Sequence, residues 1–240
     1  MSYRLGVDVG GTFTDFLLIN ESDGSTYTAK VPSTPEDSSI GVLNGVGRIC
    51  DQSGVNPKDI KLVMHGTTVA TNAVLTGNGA KVGLLTSQGY ESILQVARSF
   101  CPGGLGGWVS FVKGPLLAPL ELTYGINERT DASGKISIPL DEDHLREQLA
   151  QLKKRDQVEA LTISFVNSYI NNANEVLAAK IAGEIFTDVP ISISSEVIPE
   201  MQEYERAETT VLNSYVRPQV SSYVNNLQSN LEKSLGSDVQ

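Results

Sequence analysis

Residues 8 to 15 read Asp8-Val9-Gly10-Gly11-Thr12-Phe13-Thr14-Asp15, set between the apolar runs Leu5-Gly6-Val7 and Phe16-Leu17-Leu18-Ile19. A carboxylate closing one strand, a glycine pair and hydroxyls opening the next describe a hairpin shaped for phosphate. Glycine tolerates φ > 0 and lets a ligand approach the backbone. The N–H groups of Gly11, Thr12 and Phe13 can then converge on an anion as a backbone nest. Thr12 and Thr14 add side-chain donors, and Asp8 is placed to hold a hydrated Mg²⁺ against the phosphates. Two familiar nucleotide motifs fail here. A dinucleotide fingerprint needs a helix directly after its glycines, whereas 12–20 has the pattern of a strand. A Walker A loop needs a Gly-Lys-Ser/Thr ending, which is absent. Taken alone, the motif is equally well a plain tight hairpin, so its context decides.

A second cluster, His65-Gly66-Thr67-Thr68-Val69-Ala70-Thr71-Asn72, falls at the end of one expected strand and the start of a helix. Open α/β sheets bind ligands at strand ends, and helix N-termini favour anions. The plainer alternative is that Thr67 or Thr68 caps the helix and His65 is a core residue. The density of polar groups weighs toward function. Arg98-Ser99 offers a weaker anion contact. Glu196, Glu200, Glu203 and Glu205 near a helix start are most simply charges favoured by the helix dipole. There is no Gly-x-Ser-x-Gly elbow or Ser/His/Asp series.

The elements that must position these residues follow from periodicity. Strands are expected at 4–9, 13–20 and 26–31, then a break at Pro32-Ser33-Thr34-Pro35-Glu36-Asp37 that caps a helix at 39–51. A strand at 61–65, a helix at 69–75, a strand at 81–86 and a helix at 90–96 come next. This β-β-β-α-β-α-β-α order is that of ribonuclease-H-like, actin-like ATPases, in which a glycine hairpin between the first two strands grips phosphate. Segment 98–119, with Gly103-Gly104-Leu105-Gly106-Gly107-Trp108 and three prolines, is expected to be a long loop. A further α/β unit follows: a strand at 121–128, a turn at 131–134, a helix at 142–153, a strand at 160–166, a helix capped by Asn172, and a strand at 189–193. A helix at 200–212 is expected to break near Arg217-Pro218 before a final helix at 219–235. The expected organisation is 1–97 carrying the hairpin, 98–199 as an inserted unit, and 200–240 as a helical segment.

The 240-residue chain, 40% hydrophobic and 19% charged, has the composition of a soluble globular protein. A net charge of −10 disfavours nucleic acid and anionic membranes as partners. No run approaches a membrane span, no signal peptide precedes the first strand, and two cysteines build no disulfide framework. A cytoplasmic protein is expected. With only His65 and His144 to join Cys50 and Cys101, any metal is a hard, oxygen-bound one.

The chain resembles the N-terminal part of the hydantoinase A/5-oxoprolinase family. The resemblance rests on Gly6-Val7-Asp8-Val9-Gly10-Gly11-Thr12-Phe13-Thr14-Asp15, Lys30-Val31-Pro32-Ser33-Thr34-Pro35-Glu36-Asp37 and His65-Gly66-Thr67-Thr68-Val69-Ala70-Thr71-Asn72-Ala73. It continues through Pro139-Leu140-Asp141-Glu142, Ser194-Ser195-Glu196-Val197, Glu203-Tyr204-Glu205-Arg206 and Thr209-Thr210-Val211-Leu212-Asn213-Ser214-Tyr215-Val216. One such motif is weak; the set in matching order is specific.

The resemblance implies an actin-like ATPase subunit that uses ATP and Mg²⁺ to phosphorylate a cyclic amide, lactam or imide so that water opens the ring. The implied partner is a hydantoinase B-type subunit or domain, within an oligomer. On that basis Asp8 organises Mg²⁺, Gly10, Gly11, Thr12, Phe13 and Thr14 hold phosphate, and His65, Thr67 and Thr68 face the substrate or the transferred phosphoryl. Related acetone and acetophenone carboxylases make ketone carboxylation the alternative. A non-catalytic nucleotide-binding subunit on the same fold is another. An actin-like ATPase needs a second phosphate hairpin, and no second Asp-x-Gly-Gly follows Asp15. Family subunits are much longer, so the chain is expected to be an N-terminal portion with little or no ATPase activity by itself.

Overall fold

A computed structural model of the protein describes residues 2–34, 37–99, 103–155, 158–236 and 239, with the side chains of Leu105 and Trp108 outside that set. The order is β1 (Tyr3–Val9), β2 (Phe13–Asn20), β3 (Thr26–Pro32), α1 (Ser38–Ser53), β4 (Ile60–Thr67), α2 (Val69–Thr76), β5 (Val82–Ser87) and α3 (Ile93–Val96). Then come α4 (Gly104–Ser110), β6 (Thr123–Ile126), β7 (Arg129–Thr130), β8 (Ile136–Ile138), α5 (Glu142–Lys154), β9 (Ala160–Ser164), α6 (Ala173–Ile185), β10 (Ile191–Ile193), α7 (Ser194–Val197) and α8 (Glu203–Leu235). The β-β-β-α-β-α-β-α opening expected from the periodicity is present. The chain divides into two compact units, Met1–Asn78 with Gln219–Gln240, and Gly79–Pro218. Residues 79–97, expected with the hairpin, fall in the second of these.

The hairpin unit is built on a sheet in the order β3-β2-β1-β4. β1 is antiparallel to β2 and parallel to β4. Alternation along β1 buries Tyr3, Leu5, Val7 and Val9 on one face and leaves Arg4 and Asp8 exposed on the other. Helix α1 covers the inner face with Val42, Val46, Ile49 and Cys50, and the second half of α8 adds Tyr223, Leu227, Leu231 and Leu235. Asp37 caps α1, its carboxylate accepting the Ser39 N–H at 2.9 Å; Pro35 and Glu36 of the expected capping run lie outside the described residues. The approach of α1 to the sheet depends on Gly45, where an added Cβ would lie 2.0 Å from the Phe16 ring.

The second unit carries a parallel sheet in the order β10-β9-β5-β6. β5 and β9 are buried along their whole length, as expected of strands covered on both faces. Asp131-Ala132-Ser133-Gly134 turns between β7 and β8, with the Asp131 carboxylate accepting the Ser133 and Lys135 N–H groups.

Three expectations are corrected. Asn172 makes no side-chain cap; the Ala173 N–H is taken instead by Asn171 Oδ1 at 3.1 Å. Segment 98–119 is not a structureless loop. It forms α4, and beyond it Leu116, Leu117 and Ala118 pack into an apolar cluster with Val82, Leu84 and Val211. Cys101 and Pro102 lie outside the described residues. Finally, α8 runs unbroken through Pro218. Proline inside a helix costs roughly 3 kcal/mol, but each half is anchored by its own packing. Ala207, Val211 and Tyr215 are buried in the second unit, and Tyr223, Leu227 and Leu231 in the hairpin unit. Tertiary burial outweighs local propensity.

Two glycines of α1 should answer oppositely to the same substitution. Gly45→Ala is expected to destabilise by about 1–3 kcal/mol through overpacking against Phe16, despite the better helix former. Gly47→Ala, exposed with nothing within 4 Å of its added Cβ, should stabilise by about 0.5–1 kcal/mol. Urea midpoints at constant m-value measure both.

Candidate functional site

The register of β1 places the chemistry. Asp8 lies opposite Asp15 on β2 and beside Gly66 on β4, and Asp15 in turn lies opposite Lys30 on β3. These residues form one cross-strand row on the outer, exposed face. Lys30 Nζ sits 2.9 and 3.0 Å from the two Asp15 oxygens and 5.1 Å from the Phe13 ring centroid. An open groove of about 510 Å³ follows this face, with Gly6, Asp8, Asp15, Leu17, Met64 and Gly66 among its lining. The like charges of Asp8 and Asp15, facing each other across an antiparallel pair, repel, which favours a cation near Asp8.

The hairpin tip closes by one backbone hydrogen bond, Gly10 N–H to Phe13 O at 3.0 Å. A Cβ on Gly10 would lie 2.9 Å from that oxygen, so closure itself requires glycine. Neither Gly10 nor Gly11 has positive φ, so the αR–αL nest expected from the glycine pair does not form. The donors are supplied differently. Gly11 and Thr12 are exposed, and their N–H groups form no hydrogen bond among the described residues. Asn72 Nδ2 reaches the same place, 3.6 Å from where a Gly11 Cβ would be. The sequence pattern quoted Asn72 inside a motif without giving it a role; its signal was one helical turn of separation from Thr68, whose Oγ1 it meets at 3.3 Å.

The other expected residues fall in different places. Thr14 is fully buried; its Oγ1 meets Ser33 Oγ at 3.0 Å, and Ser33 Oγ donates to Gly10 O at 2.8 Å. Thr14 therefore braces the hairpin from inside. Phe13 projects its ring onto the outer face, 45% exposed. Thr68 N–H and Oγ1 both contact Val9 O, at 3.3 and 3.4 Å, tying the end of β4 to the hairpin. His65 and Thr67 pair with Val7 and Val9, so their side chains share the inner face and not that of Asp8. His65 Nε2 is hydrogen-bonded to the Tyr223 hydroxyl, and Thr67 Oγ1 accepts the Val69 N–H at 3.2 Å. Burial lowers the His65 pKa, partly offset by the Asp8 charge. Burial pushes Tyr223 up to about 12, against the pull of its Thr67 hydrogen bond.

The donors and the carboxylate fit a phosphate with a hard cation. Among the described residues the Gly11 and Thr12 N–H groups form no hydrogen bond, Asn72 Nδ2 lies beside Gly11, and Asp8 is exposed on the outer face next to Val9. No group of three or more His, Cys, Asp or Glu occurs among the described residues. A Mg²⁺ held by one carboxylate, phosphate oxygens and water matches that donor set.

Two of the carboxylates near the start of α8, Glu203 and Glu205, are paired within the second unit. Arg206 is fully buried; it donates to Phe165 O at 2.7 Å, Glu200 O at 3.1 Å and Ser194 Oγ at 3.1 Å, and pairs with Glu203. Glu175, also fully buried, accepts from Phe165 N, Ser194 Oγ and Ser195 N at 2.6–2.9 Å. Arg98 pairs with Glu205 and donates to Gln202 Oε1 at 2.9 Å. Ser195 Oγ is the one buried side-chain oxygen among the described residues without a partner.

The description "Hydantoinase/oxoprolinase N-terminal region" fits residues 4–186 as a family model. The chain is 35% identical over 235 residues to caprolactamase subunit alpha of Pseudomonas jessenii, covering 96% of this chain and 34% of that protein. It is 34% identical to the acetophenone carboxylase gamma subunit of Aromatoleum aromaticum, covering 89% of this chain and 31% of that one. The solved ATP-dependent caprolactamase superposes with a TM-score of 0.85 at 34% identity, over 97% of this chain and 34% of that chain. The nucleotide-free acetone carboxylase structure gives 0.87 at 26% identity, over the same 97% and 34%. Both have the actin-like ATPase fold, which this chain shares in part. The chain spans about a third of the length of the curated relatives it matches.

Two outcomes follow from the geometry. His65 has a lower pKa folded than unfolded, so the unfolded state binds more protons as pH falls through the ordinary histidine value. The contribution of neutral His65 to stability is complete above about pH 6.5 and is lost as pH falls toward the depressed folded value. His65→Gln should flatten the fall in stability between pH 7 and 5, read from urea midpoints. Arg206→Met, which removes the partner of Glu203 and the donors to the Phe165 and Glu200 carbonyls and Ser194 Oγ, should destabilise by about 3–5 kcal/mol, seen as loss of near-ultraviolet circular dichroism at lower denaturant.

Proposed function

Because the chain belongs to the hydantoinase/oxoprolinase family, we infer that it supplies the first phosphate grip of an ATP-dependent subunit that phosphorylates and opens a cyclic amide or imide of hydantoin, oxoproline or lactam type. The observation that carries this is the hairpin tip, where the Gly11 and Thr12 N–H groups form no hydrogen bond among the described residues, with Asn72 Nδ2 beside Gly11 and Asp8 exposed on the outer face. Backbone donors already fixed in place cost little reorganisation when negative charge arrives. Thr68 holds the end of β4 against Val9, and the Thr14–Ser33–Gly10 chain holds the other side. The tip is thus braced from both neighbouring strands.

In this reading Asp8 orients the waters of Mg²⁺, which when bound neutralises phosphate charge. Gly11, Thr12 and Asn72 hold phosphate oxygens. His65 and Thr67 act from the inner face on the position of the strand end and not on the substrate directly. A partner subunit, named in the relatives as part of multi-subunit enzymes, would complete the ring opening.

Ring opening is tested on the complete subunit with its partner. Lactam, hydantoin and 5-oxoproline are each offered with Mg²⁺ and ATP, and phosphate release is measured alongside ring-opened product. Asp8→Ala should lower kcat by about 100-fold or more, in the range seen when one preorganised electrostatic contact is removed, with the fold retained by circular dichroism. Unchanged turnover would assign the hairpin a non-catalytic role. Product that forms only with bicarbonate and a ketone would place the protein with the carboxylases instead.

A further inference from the structure

Helix α8 touches both flanks of the hairpin from the inner side, at residues that no sequence motif singled out. Tyr223 is 6% exposed, with its ring in the core of the hairpin unit. Its hydroxyl is bonded to His65 Nε2 and interacts with Thr67, and the Tyr223 and His65 rings lie 5.3 Å apart. His65 and Thr67 lead directly into Thr68, which grips Val9. About two helical turns further on, and so on the same face, Asn230 Nδ2 donates to Ser39 Oγ at 3.1 Å. Ser39 N–H is in turn held by Asp37. Asp37 O accepts from Thr34 Oγ1 at 2.5 Å, and the adjoining Ser33 donates its N–H to Thr12 O at 2.9 Å and its hydroxyl to Gly10 O. One helix face therefore carries two polar contacts, one to the strand end that Thr68 ties to Val9 and one to the hydrogen-bonded series that ends at Gly10 and Thr12, with Leu227 buried in the same core.

We propose that Tyr223 and Asn230 are positioning residues for the phosphate grip, setting the geometry of Gly11, Thr12 and Asn72 through the 65–68 strand end and through the hydrogen bonds that join Ser39, Asp37, Thr34 and Ser33. This rests on the hairpin being an anion site. Packing alone would be served by Phe and Leu at these positions; the hydroxyl and the amide add direction to it. A buried tyrosine and a half-buried amide bonded to specific partners fix orientation in a way that apolar contact does not, because an unmade bond there is penalised to the extent that the group is desolvated. The bond also couples the tautomer of His65 to the direction of the Tyr223 hydroxyl. If Tyr223 O–H donates to His65 Nε2, the imidazole proton sits on Nδ1.

The test uses the 240-residue chain with Mg²⁺ and inorganic tripolyphosphate as the probe. Tyr223→Phe and Asn230→Ala are compared with Leu227→Ala, which loses packing from the same helix face without touching either polar contact. Amide ¹H–¹⁵N signals of Gly11 and Thr12, and the ¹⁵N signature of the His65 tautomer, are recorded beside the affinity. Tyr223→Phe should shift the Gly11 and Thr12 amides, release the tautomer preference and weaken tripolyphosphate about fivefold, the equilibrium equivalent of one ordinary hydrogen bond. Asn230→Ala should shift the Thr12 amide and weaken the probe similarly. Leu227→Ala should lower stability more than either while leaving tip signals and affinity at parental values. Parental tip signals in both polar variants, or tip changes in Leu227→Ala that scale with its stability loss, would overturn the proposal. Absence of tripolyphosphate binding by the parent chain would instead count against the hairpin as an anion site, and the amide and tautomer signals would still decide whether α8 sets its shape.

Discussion

Everything at the site depends on β1 being paired on both sides, antiparallel with β2 and parallel with β4. Antiparallel pairing with β2 produces the hairpin and puts Asp15 across from Asp8. Parallel pairing with β4 brings a segment almost sixty residues away in sequence alongside, with Gly66 in register with Asp8. Because side chains alternate, that register alone decides which residues of the His65–Thr68 stretch share a face with the carboxylate. Gly66, with no side chain, is the one that does. A Cβ there would stand 3.6 Å from Asp8 Oδ1, so glycine keeps the approach to Asp8 clear while its neighbours turn inward.

Much of this was legible from residue types. Strand β2 has the bounds that its alternation predicts, and the turn expected at 131–134 is present, with Asp131 accepting the Ser133 N–H. The first eight elements could be ordered because each is punctuated by glycine, proline or a capping aspartate. What the chain did not reveal is the facing of His65. Alternation says that His65 and Gly66 point oppositely, but not which of them points with Asp8. That answer lies in the pairing of two distant strands, which includes a register shift at Tyr3/Arg4. Thr14 was misplaced for a related reason. A hydroxyl near a phosphate loop looks like a ligand until strand parity puts it on the buried face, where Ser33 satisfies it.

Pro218 shows the opposite failure, a local rule overruled from outside. The residue stops a helix by removing a donor and crowding the preceding turn, and a break was the sound expectation. The stretches before and after it each bury an apolar stripe in a separate core, and those burials together exceed the local penalty. The same helix then contributes Tyr223 and Asn230 to the hairpin's support. Its continuity was not readable from propensity, since nothing in the 219–235 pattern announces which polar residues on an otherwise apolar face have partners.

The two polar clusters of the chain separate structure from function by how their hydrogen bonds close. Around Arg206 and Glu175 both charged side chains are fully buried and their donors and acceptors are met by neighbours. The charges of that network are met from within, Ser195 Oγ being its one buried side-chain oxygen without a partner among the described residues, and burial of a charge without satisfaction would be costly. At the hairpin tip the balance is reversed. The supporting groups, Thr14, Ser33 and Thr68, are bonded inward, while Gly11 and Thr12 N–H are exposed and unbonded beside an exposed carboxylate. Rigid support beneath donors left open is what an anion site requires, since the geometry must exist before the ligand arrives. Number of polar residues does not distinguish the two clusters. The direction in which their unmet hydrogen-bonding capacity points does, and here it points outward only at the tip of the hairpin.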